Sequence, residues 1–233
     1  MISIIIPTYN ERENIVKLIH EIQLVLSELN IKYEIVVIDD NSSDNTALEI
    51  KKKFNSKNIR LFVRKNIRGL ASAILLGIRK SRGDIVIGMD ADFNHPPQTI
   101  IQLINQLNSC DLVVASRFIK GGGMEDKIRY IFTYIFNLFL KYFLGFPTMD
   151  NMSGFYAIRK EKLFQLPINK IYTGYGEYHL RLVYLAKKQG FKIKQIPVYY
   201  PKRKHGKSKT NLIKMFFLYL LTAFSLKLSN EKN

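Results

Sequence analysis

Residues Ile85–Asp92 read IVIGMDAD, a short apolar run that ends directly in two aspartates. Such a run predicts a buried β-strand over Ile85–Met89. Carboxylates that follow the carboxyl end of a parallel strand lie at the rim of the sheet, where open α/β folds bind their ligands. The segment therefore predicts a strand in the core and a polar site at its end.

The same pattern recurs along the first half of the chain. Further apolar runs predict strands at Ile2–Pro7, Tyr33–Asp39, Ile59–Val63 and Leu112–Ser116. Amphipathic stretches between them predict helices at Glu13–Leu29, Asp44–Phe54, Gly69–Ser81 and Pro97–Leu107, and Asp44 has the chemistry of an N-cap. Strands that alternate with helices indicate an α/β fold with a mainly parallel, Rossmann-like sheet flanked by helices.

The second half predicts more elements of the same domain. They are a strand at Phe155–Arg159, a helix at Gly176–Gln189 and a strand at Lys192–Tyr200. We expect one domain over residues 1–210 and a C-terminal apolar helix over residues 211–233, with its apolar part at Leu212–Leu228. No run reaches the roughly 18–20 uncharged apolar residues of an unambiguous membrane span.

The charge balance favours anionic partners. The chain has 36 Lys and Arg against 19 Asp and Glu, a formal net charge of +17. This excess attracts nucleic acid, anionic lipid or phosphorylated substrates, although scattered lysines are also compatible with an ordinary solvated surface. The single cysteine, Cys110, excludes an intrachain disulfide and a thiolate-rich metal site.

Residues 127–146 predict an unusually apolar helix. Its polar members Arg129, Thr133, Asn137 and Lys141 are spaced by four, so they form one narrow polar stripe. Such a helix is either a core helix with a wet edge or an amphipathic helix in a bilayer interface, and its many aromatic residues favour the interface. We predict a second interfacial helix at the C-terminus, where Lys214 and Lys227 flank the apolar run.

Polar residues follow two more predicted strands. Asp39 and Asp40 end the second strand, and the first ends in Tyr9, Asn10 and Glu11. Carboxylates there can accept hydrogen bonds from a ribose or a base, and an aromatic ring can stack on a base. Together with Asp90, Asp92 and Asn94, whose oxygens suit Mg²⁺ or Mn²⁺, they predict a nucleotide site at one edge of the sheet.

Several of these segments resemble the inverting glycosyltransferases of family 2, which have the GT-A fold. The resemblance rests on Pro7–Asn14, Asp39–Asp44 and Asp90–Asp92 and covers nearly the whole chain. Within that family the chain is most similar to the dolichol-phosphate mannose synthases, which are polyprenyl-phosphate hexosyltransferases. The resemblance implies transfer of a hexose, mannose from GDP-mannose, to a polyprenyl or dolichyl phosphate with inversion.

The resemblance also implies roles for individual residues. Those implied to hold the donor are Pro7, Tyr9, Glu11, Ile38, Asp40, Asp90, Ala91, Asp92, Arg117, Arg203 and Lys209. Asp90, Asp92 and Asn94 are implied metal ligands, and Arg129 and Thr133 are implied to meet the acceptor phosphate. Of these, Asp90, Asp92, Arg117 and Arg203 are expected to carry catalysis. The implied location is a membrane surface, with the active site on the cytoplasmic side, and whether a small membrane subunit is needed stays open.

The chain departs from the pattern of that group at two places. Tyr156 stands where an arginine is common, and the segment Gly174–Arg181 differs from the usual sequence. Glu177 or His179 from this segment could contact the sugar, or both could be structural. The identities of the sugar and of the base are therefore open.

Three alternatives remain at the level of sequence. An ionised lipid phosphate attacks without a general base, whereas a glycan or glycolipid hydroxyl would need one, with Asp150 or Glu177 the nearest candidates. The basic segment Lys202–Lys209 could close over a diphosphate or act as a nuclear-localisation or nucleic-acid patch. No aromatic platform for base stacking lies beside it, so we expect no nucleic-acid partner. The third alternative is a non-enzymatic basic membrane-binding or nucleic-acid-binding scaffold.

Overall fold

The structure is a computed structural model and describes residues 1–27, 31–202 and 212–231. Its strands are β1 Ile2–Thr8, β2 Tyr33–Asp39, β3 Ile59–Val63, β4 Ile85–Gly88, β5 Leu112–Ser116, β6 Gly123–Met124, β7 Tyr156–Arg159, β8 Ile193–Pro197 and β9 Tyr199–Tyr200. Seven of them form one sheet in the order β3-β2-β1-β4-β7-β5-β8. Only β7 runs antiparallel to its neighbours in this sheet, so the predicted mainly parallel sheet is confirmed.

Helices cover both faces of this sheet. They are α1 Arg12–Ser27, α2 Thr46–Lys53, α3 Leu70–Lys80, α4 Thr99–Gln106, α5 Lys127–Leu144, α6 Lys160–Phe164, α7 Ile168–Ile171, α8 Tyr178–Lys188 and α9 Leu212–Glu231. In β1, Ile4 and Ile6 pack with α1 and α4, while Ile5 packs on the opposite face with α3. Because both faces are buried at the centre of the sheet, β1, β4 and β5 are largely continuous apolar runs rather than alternating ones.

The predicted single strand Lys192–Tyr200 is wrong, because the chain leaves the large sheet after Pro197. β8 ends there, and β9 pairs instead with β6 in a separate two-stranded sheet. Gly123 allows this pairing, since a Cβ at that position would lie 2.9 Å from the Tyr199 ring. β6 was not predicted, because a strand of two residues has no periodicity to detect.

The predicted N-cap at Asp44 is displaced by one residue. α2 begins at Thr46, and Asn45 before it has a left-handed backbone with φ of 69° and makes no side-chain cap. Asp44 nevertheless accepts a hydrogen bond from the Thr46 N–H at 3.0 Å. Its carboxylate therefore satisfies a free N–H group at the start of the helix, as an N-cap does.

Helices α5, α8 and α9 pack together on the α3 face of the sheet. Tyr219, Ala223 and Leu226 of α9 belong to the same buried cluster as Leu140 of α5 and Leu180 of α8. The α9 helix is thus packed into the core along one side. Within the described residues, no helix combines the length and the apolar content that crossing a bilayer requires.

Candidate active site at the strand ends

A cavity of about 680 Å³ opens at the carboxyl ends of the central strands. Two groups of elements line it: the ends of β1, β2, β4 and β5, and a wall from α5, α9 and the start of α8. Among the residues expected from sequence, it gathers Pro7, Tyr9, Glu11, Asp40, Asp90, Ala91, Asp92, Asn94, Arg117, Arg129 and Thr133. The predicted convergence of three strand ends is therefore present.

One of the expected site residues does not reach this cavity, and two others fall in a part of the chain that the structure does not describe. Ile38 does not line it, because its side chain is fully buried beneath α3 with Val36 and Ala73. Arg203 and Lys209 lie outside the described residues. A donor-binding or catalytic role for these two stays a prediction.

The end of β2 presents one carboxylate to the cavity and uses the other to hold the loop. Asp39 is fully buried and accepts hydrogen bonds from the Thr8 hydroxyl at 3.0 Å and the Ser42 N–H at 2.9 Å. Asp40 lines the cavity and accepts from Arg64 Nε at 2.6 Å and from the Gly69 N–H at 2.9 Å. Asp40 is thereby fixed in place, while Asp39 is structural.

Two arginines that the sequence did not single out support this part of the site. Arg64 follows the end of β3, and besides Asp40 it binds the Ser72 hydroxyl at 2.8 Å. Arg68 lines the cavity with its guanidinium 4.7 Å from the centre of the Tyr9 ring, and it donates to the Tyr9 hydroxyl at 3.0 Å. The rule that strand ends carry ligand-binding residues, applied to β3, would have found Arg64.

The turn after β4 holds the two aspartates through His95. The Asp90 N–H donates to His95 Nδ1 at 2.8 Å, and His95 Nε2 lies 3.2 Å from the Ser153 carbonyl oxygen. Burial lowers the pKa of His95 to about 4, against the opposing charge of Asp92. The ring is therefore neutral at pH 7, with its proton on Nε2, and it fixes the backbone of Asp90.

Asn94 closes the same turn. Its Nδ2 donates to Asp92 Oδ2 at 3.0 Å, and its N–H to Asp92 Oδ1 at 3.2 Å. Phe93 between them has φ of 67°, a left-handed conformation that the buried ring tolerates in this tight turn. The turn thus points Asp90 and Asp92 into the cavity, with Asn94 orienting Asp92.

These residues fit a divalent cation that is shared with a substrate. Among the described residues, no group of three or more His, Cys, Asp or Glu side chains is gathered as a metal cage. Two aspartates of the cavity are the kind of partial ligand set that Mg²⁺ and Mn²⁺ accept when phosphate oxygens and water supply the remaining positions. The metal ligands Asp90, Asp92 and Asn94 remain a prediction.

Arg117 reaches the cavity from the end of β5 and is held by Asp150. Its Nε and Nη2 donate to the two carboxylate oxygens at 2.7 and 2.8 Å, and both residues are buried. Burial alone would raise the pKa of Asp150, but the charge and hydrogen bonds of Arg117 outweigh it and lower that pKa. Asp150 is therefore an ionised partner of Arg117 and is not available to act as a general base.

The polar stripe of α5 faces inward, contrary to the alternative of a core helix with a wet edge. Arg129 and Thr133 line the cavity, and Asn137 is fully buried. The buried Arg129 Nε has no hydrogen-bond partner within the part of the chain that the structure describes. Thr133 donates its hydroxyl to the Arg129 carbonyl oxygen at 2.6 Å.

The opposite side of α5 is apolar and exposed. Ile128, Phe132 and Ile135 are 72%, 71% and 59% exposed. On α9, which packs beside it through the Phe136–Phe216 and Phe143–Phe224 ring contacts, Phe217 and Leu221 are 57% and 68% exposed. We call this surface of the two helices the apolar face.

The segment that departs from the sequence pattern contributes Tyr175, Gly176 and Tyr178 to the cavity lining, but its Glu177 and His179 are buried away from the cavity. Glu177 is buried, accepts from the Tyr175 N–H and pairs with Arg181 at 3.3 Å. His179 is fully buried, burial lowers its pKa to about 4, and neither ring nitrogen has a hydrogen-bond partner among the described residues. The Tyr156 hydroxyl meets that of Tyr172 at 2.7 Å in the core.

Sequence reasoning also missed Met215 and Tyr219 of α9, which complete the helical wall of the cavity. They were part of an apolar run, and nothing in that run marks which residues turn inward. Their spacing of four is the only local signal, and it is common to every buried helix face.

The model of the family described as glycosyl transferase family 2 matches residues 3–166. A dolichol-phosphate mannosyltransferase of Pyrococcus furiosus is 36% identical over 216 residues, 89% of this chain and 58% of that protein. The protein of the same description from Saccharomyces cerevisiae is 33% identical over 69% of this chain and 61% of its own length. This chain thus spans about three fifths of the length of these two relatives.

Solved structures share the fold. Glucosyl-3-phosphoglycerate synthase of Mycobacterium tuberculosis, in a complex with Mn²⁺, UDP and glucosyl-3-phosphoglycerate, superposes with a TM-score of 0.72. The match covers 97% of this chain and 79% of that one at 21% identity. The expected GT-A fold is confirmed by this similarity.

Proposed function

Because the chain belongs to glycosyl transferase family 2, we propose that it transfers mannose from GDP-mannose to a polyprenyl or dolichyl phosphate, with inversion, at a membrane surface. The observation that carries the proposal is the composition of the cavity. The carboxylates of the strand ends face a helical wall that carries Arg129, whose buried Nε has no hydrogen-bond partner among the described residues. The outer surface of that wall is the apolar face. A nucleotide-sugar would bind at the strand ends and a lipid phosphate at the helical wall.

The strand ends are suited to hold the donor. Tyr9, Glu11 and Asp40 would bind the nucleoside, with Asp40 fixed by Arg64 and Tyr9 by Arg68. Asp90 and Asp92 would hold Mg²⁺ or Mn²⁺ beside the diphosphate. The complex of the mycobacterial enzyme with Mn²⁺ and UDP supports a divalent ion and a nucleotide in a protein of this fold. The chemistry that such an ion supplies is stabilisation of negative charge on the diphosphate.

The reaction would be a single displacement. A phosphate oxygen of the acceptor attacks the anomeric carbon, the bond from that carbon to the diphosphate oxygen breaks, and the nucleoside diphosphate leaves with the electron pair. Arg117, held rigid by Asp150, would stabilise charge near the departing diphosphate, and Arg129 would orient the attacking phosphate. No proton has to be removed from an ionised phosphate, so no general base is required.

The surroundings of the two candidate general bases, Asp150 and Glu177, support a phosphate acceptor over a hydroxyl acceptor. Asp150 is fully buried and bound to Arg117, and Glu177 is bound to Arg181 and does not line the cavity. A sugar hydroxyl would need a carboxylate that is accessible and able to take a proton. Neither residue meets that requirement.

The membrane part of the proposal rests on charge and on the apolar face. Exposed Phe, Ile and Leu side chains on two neighbouring helices can enter the interfacial region of a bilayer, and the chain's net charge of +17 attracts anionic lipid. We propose the cytoplasmic leaflet, whose surface potential is negative. Whether a small membrane subunit also binds is left to a pull-down from native membranes.

The test is a transfer assay with vesicles that contain polyprenyl phosphate, Mg²⁺ or Mn²⁺, and a panel of nucleotide-sugars. We expect an acid-labile mannosyl-phosphate lipid from GDP-mannose. The variant Asp92→Ala is expected to lose about 100- to 1,000-fold in kcat, the range for removal of one group that stabilises transition-state charge. Asp84→Ala, an exposed carboxylate paired with the N-terminus, is the control and should keep full activity.

Two outcomes would contradict the proposal. If no donor in the panel gave a lipid-linked sugar but a glycan or glycolipid became glycosylated, the acceptor would be a hydroxyl. If Asp92→Ala and the wild type behaved alike in every assay, the chain would act as a basic scaffold without turnover.

A further inference from the structure

The C-terminal helix α9 supplies a hydroxyl to the cavity. Met215 and Tyr219 are one turn apart on α9, so they lie on the same side of the helix, and both line the cavity. Phe217 and Leu221 point to the apolar face. The helix thus has one side in the site and another in the proposed membrane contact.

The position of the Tyr219 hydroxyl is closely fixed. The residue is only 4% exposed, and its ring packs edge-on against Phe136 of α5 at 6.3 Å between centroids. A Cβ at Gly176 would lie 3.0 Å from the hydroxyl oxygen, so a side chain there would press on it. Phe136 follows Thr133 by three residues on α5, which sets Tyr219 against the helix that carries Arg129 and Thr133.

This hydroxyl is an unused donor. No described residue forms a hydrogen bond with it, whereas the Thr133 hydroxyl already donates to the backbone of its own helix. Burial, and secondarily the charge of Glu177, raise the pKa of Tyr219. The phenol therefore keeps its proton at neutral pH and can only donate to, not neutralise, an anion.

From this geometry we infer that Tyr219 binds the acceptor phosphate, donating its phenolic hydrogen to a phosphate oxygen beside Arg129. The inference rests on the proposed function and adds a residue to it. A planar cation and a neutral O–H donor from two different helices would hold the phosphate in one orientation, which a single flexible arginine cannot do.

The experiment compares Tyr219→Phe with Tyr184→Phe. The first removes only the hydroxyl in the cavity. The second removes a buried hydroxyl that ties α8 to α9, since Tyr184 donates to the Leu226 carbonyl oxygen at 3.2 Å outside the cavity. We expect Tyr219→Phe to raise the KM for polyprenyl phosphate about 10-fold or more, as loss of a hydrogen bond to a charged group does, with the KM for the nucleotide-sugar unchanged.

Tyr184→Phe should lower the melting temperature without changing either KM. An unchanged acceptor KM in Tyr219→Phe, or a rise in the donor KM instead, would overturn the inference. So would an equal rise in acceptor KM caused by Tyr184→Phe, because the effect would then come from the packing of α9.

A binding assay separates this inference from the proposed function. Vesicles with and without polyprenyl phosphate are compared, and we expect the preference of the wild type for the phosphate-bearing vesicles to be about 10-fold smaller in Tyr219→Phe. If the wild type preferred these vesicles but transferred no sugar, the proposed reaction would be contradicted, whereas the role of Tyr219 in phosphate binding would stand. If sugar were transferred and Tyr219→Phe had no effect in either assay, only the role of Tyr219 in phosphate binding would be contradicted.

Discussion

The strand-end side and the helical side of the cavity are built in different ways. At the strand ends almost every polar side chain is held by another: Asp40 by Arg64, Asp90 through His95, and Arg117 by Asp150. On the helical side the buried Arg129 Nε has no hydrogen-bond partner among the described residues. The outer surface of that side is apolar and exposed.

The difference indicates where each side obtains its stabilisation. The strand-end side is completed by the chain's own hydrogen bonds, so it is preorganised for a polar ligand. The helical side leaves a buried donor without a partner, a feature that costs free energy unless a ligand supplies the acceptor. We therefore expect part of its stabilisation to come from a bound ligand.

The largest effect is expected from breaking the strand-end side. Asp150→Ala leaves the Arg117 guanidinium buried without its counter-charge, which should cost about 3–5 kcal/mol of the free energy of unfolding. Chemical denaturation followed by circular dichroism measures this loss. Asp84→Ala is the control and should leave the denaturation midpoint nearly unchanged, and a similar shift in both variants would contradict the comparison.

A smaller effect, on binding rather than stability, is expected on the helical side. Arg129→Met should raise the KM for polyprenyl phosphate about 10- to 100-fold, the range for losing a hydrogen bond to a charged group, without lowering the stability. Lys141→Met lies on the same stripe of α5 but outside the cavity, where its Nζ contacts Met149, and should leave that KM unchanged. A large loss of stability in Arg129→Met would show that this arginine is structural.

The smallest effect is expected on the apolar face. Phe132→Ser removes one exposed ring, which should weaken binding to anionic vesicles about 10-fold, since burying one large apolar side chain is worth roughly 1.5–3 kcal/mol. Leu24→Ser on α1 is the matched control, because Leu24 is 66% exposed on a different surface. Equal weakening by both variants in a vesicle sedimentation assay would remove the assignment of this face to the membrane.

The same division explains what could be predicted from sequence. The bounds of β2, β3 and β5 were predicted without error and those of β1, β4 and β7 within one residue. Except for the half-buried edge strand β3, these strands are buried on both faces and are therefore apolar runs with clear ends. The carboxylates of the cavity could be predicted as well, because they directly follow the carboxyl ends of these strands. Tertiary packing between distant helices and loops determines that the polar stripe faces inward and that Arg68 and Tyr219 line the cavity. Local sequence patterns do not predict such contacts.

One hydrogen bond makes the number of residues in the first half of α5 as important as their identities. Asn137 accepts from the Asn151 N–H at 2.7 Å, and Asn151 follows the Asp150 that holds Arg117. Because each added residue turns an α-helix by about 100°, one insertion between Thr133 and Asn137 would rotate the preceding turns relative to this fixed point. Arg129 would rotate out of the cavity toward the apolar face. The register of α5 relative to Asn137 therefore determines which side chains reach the site.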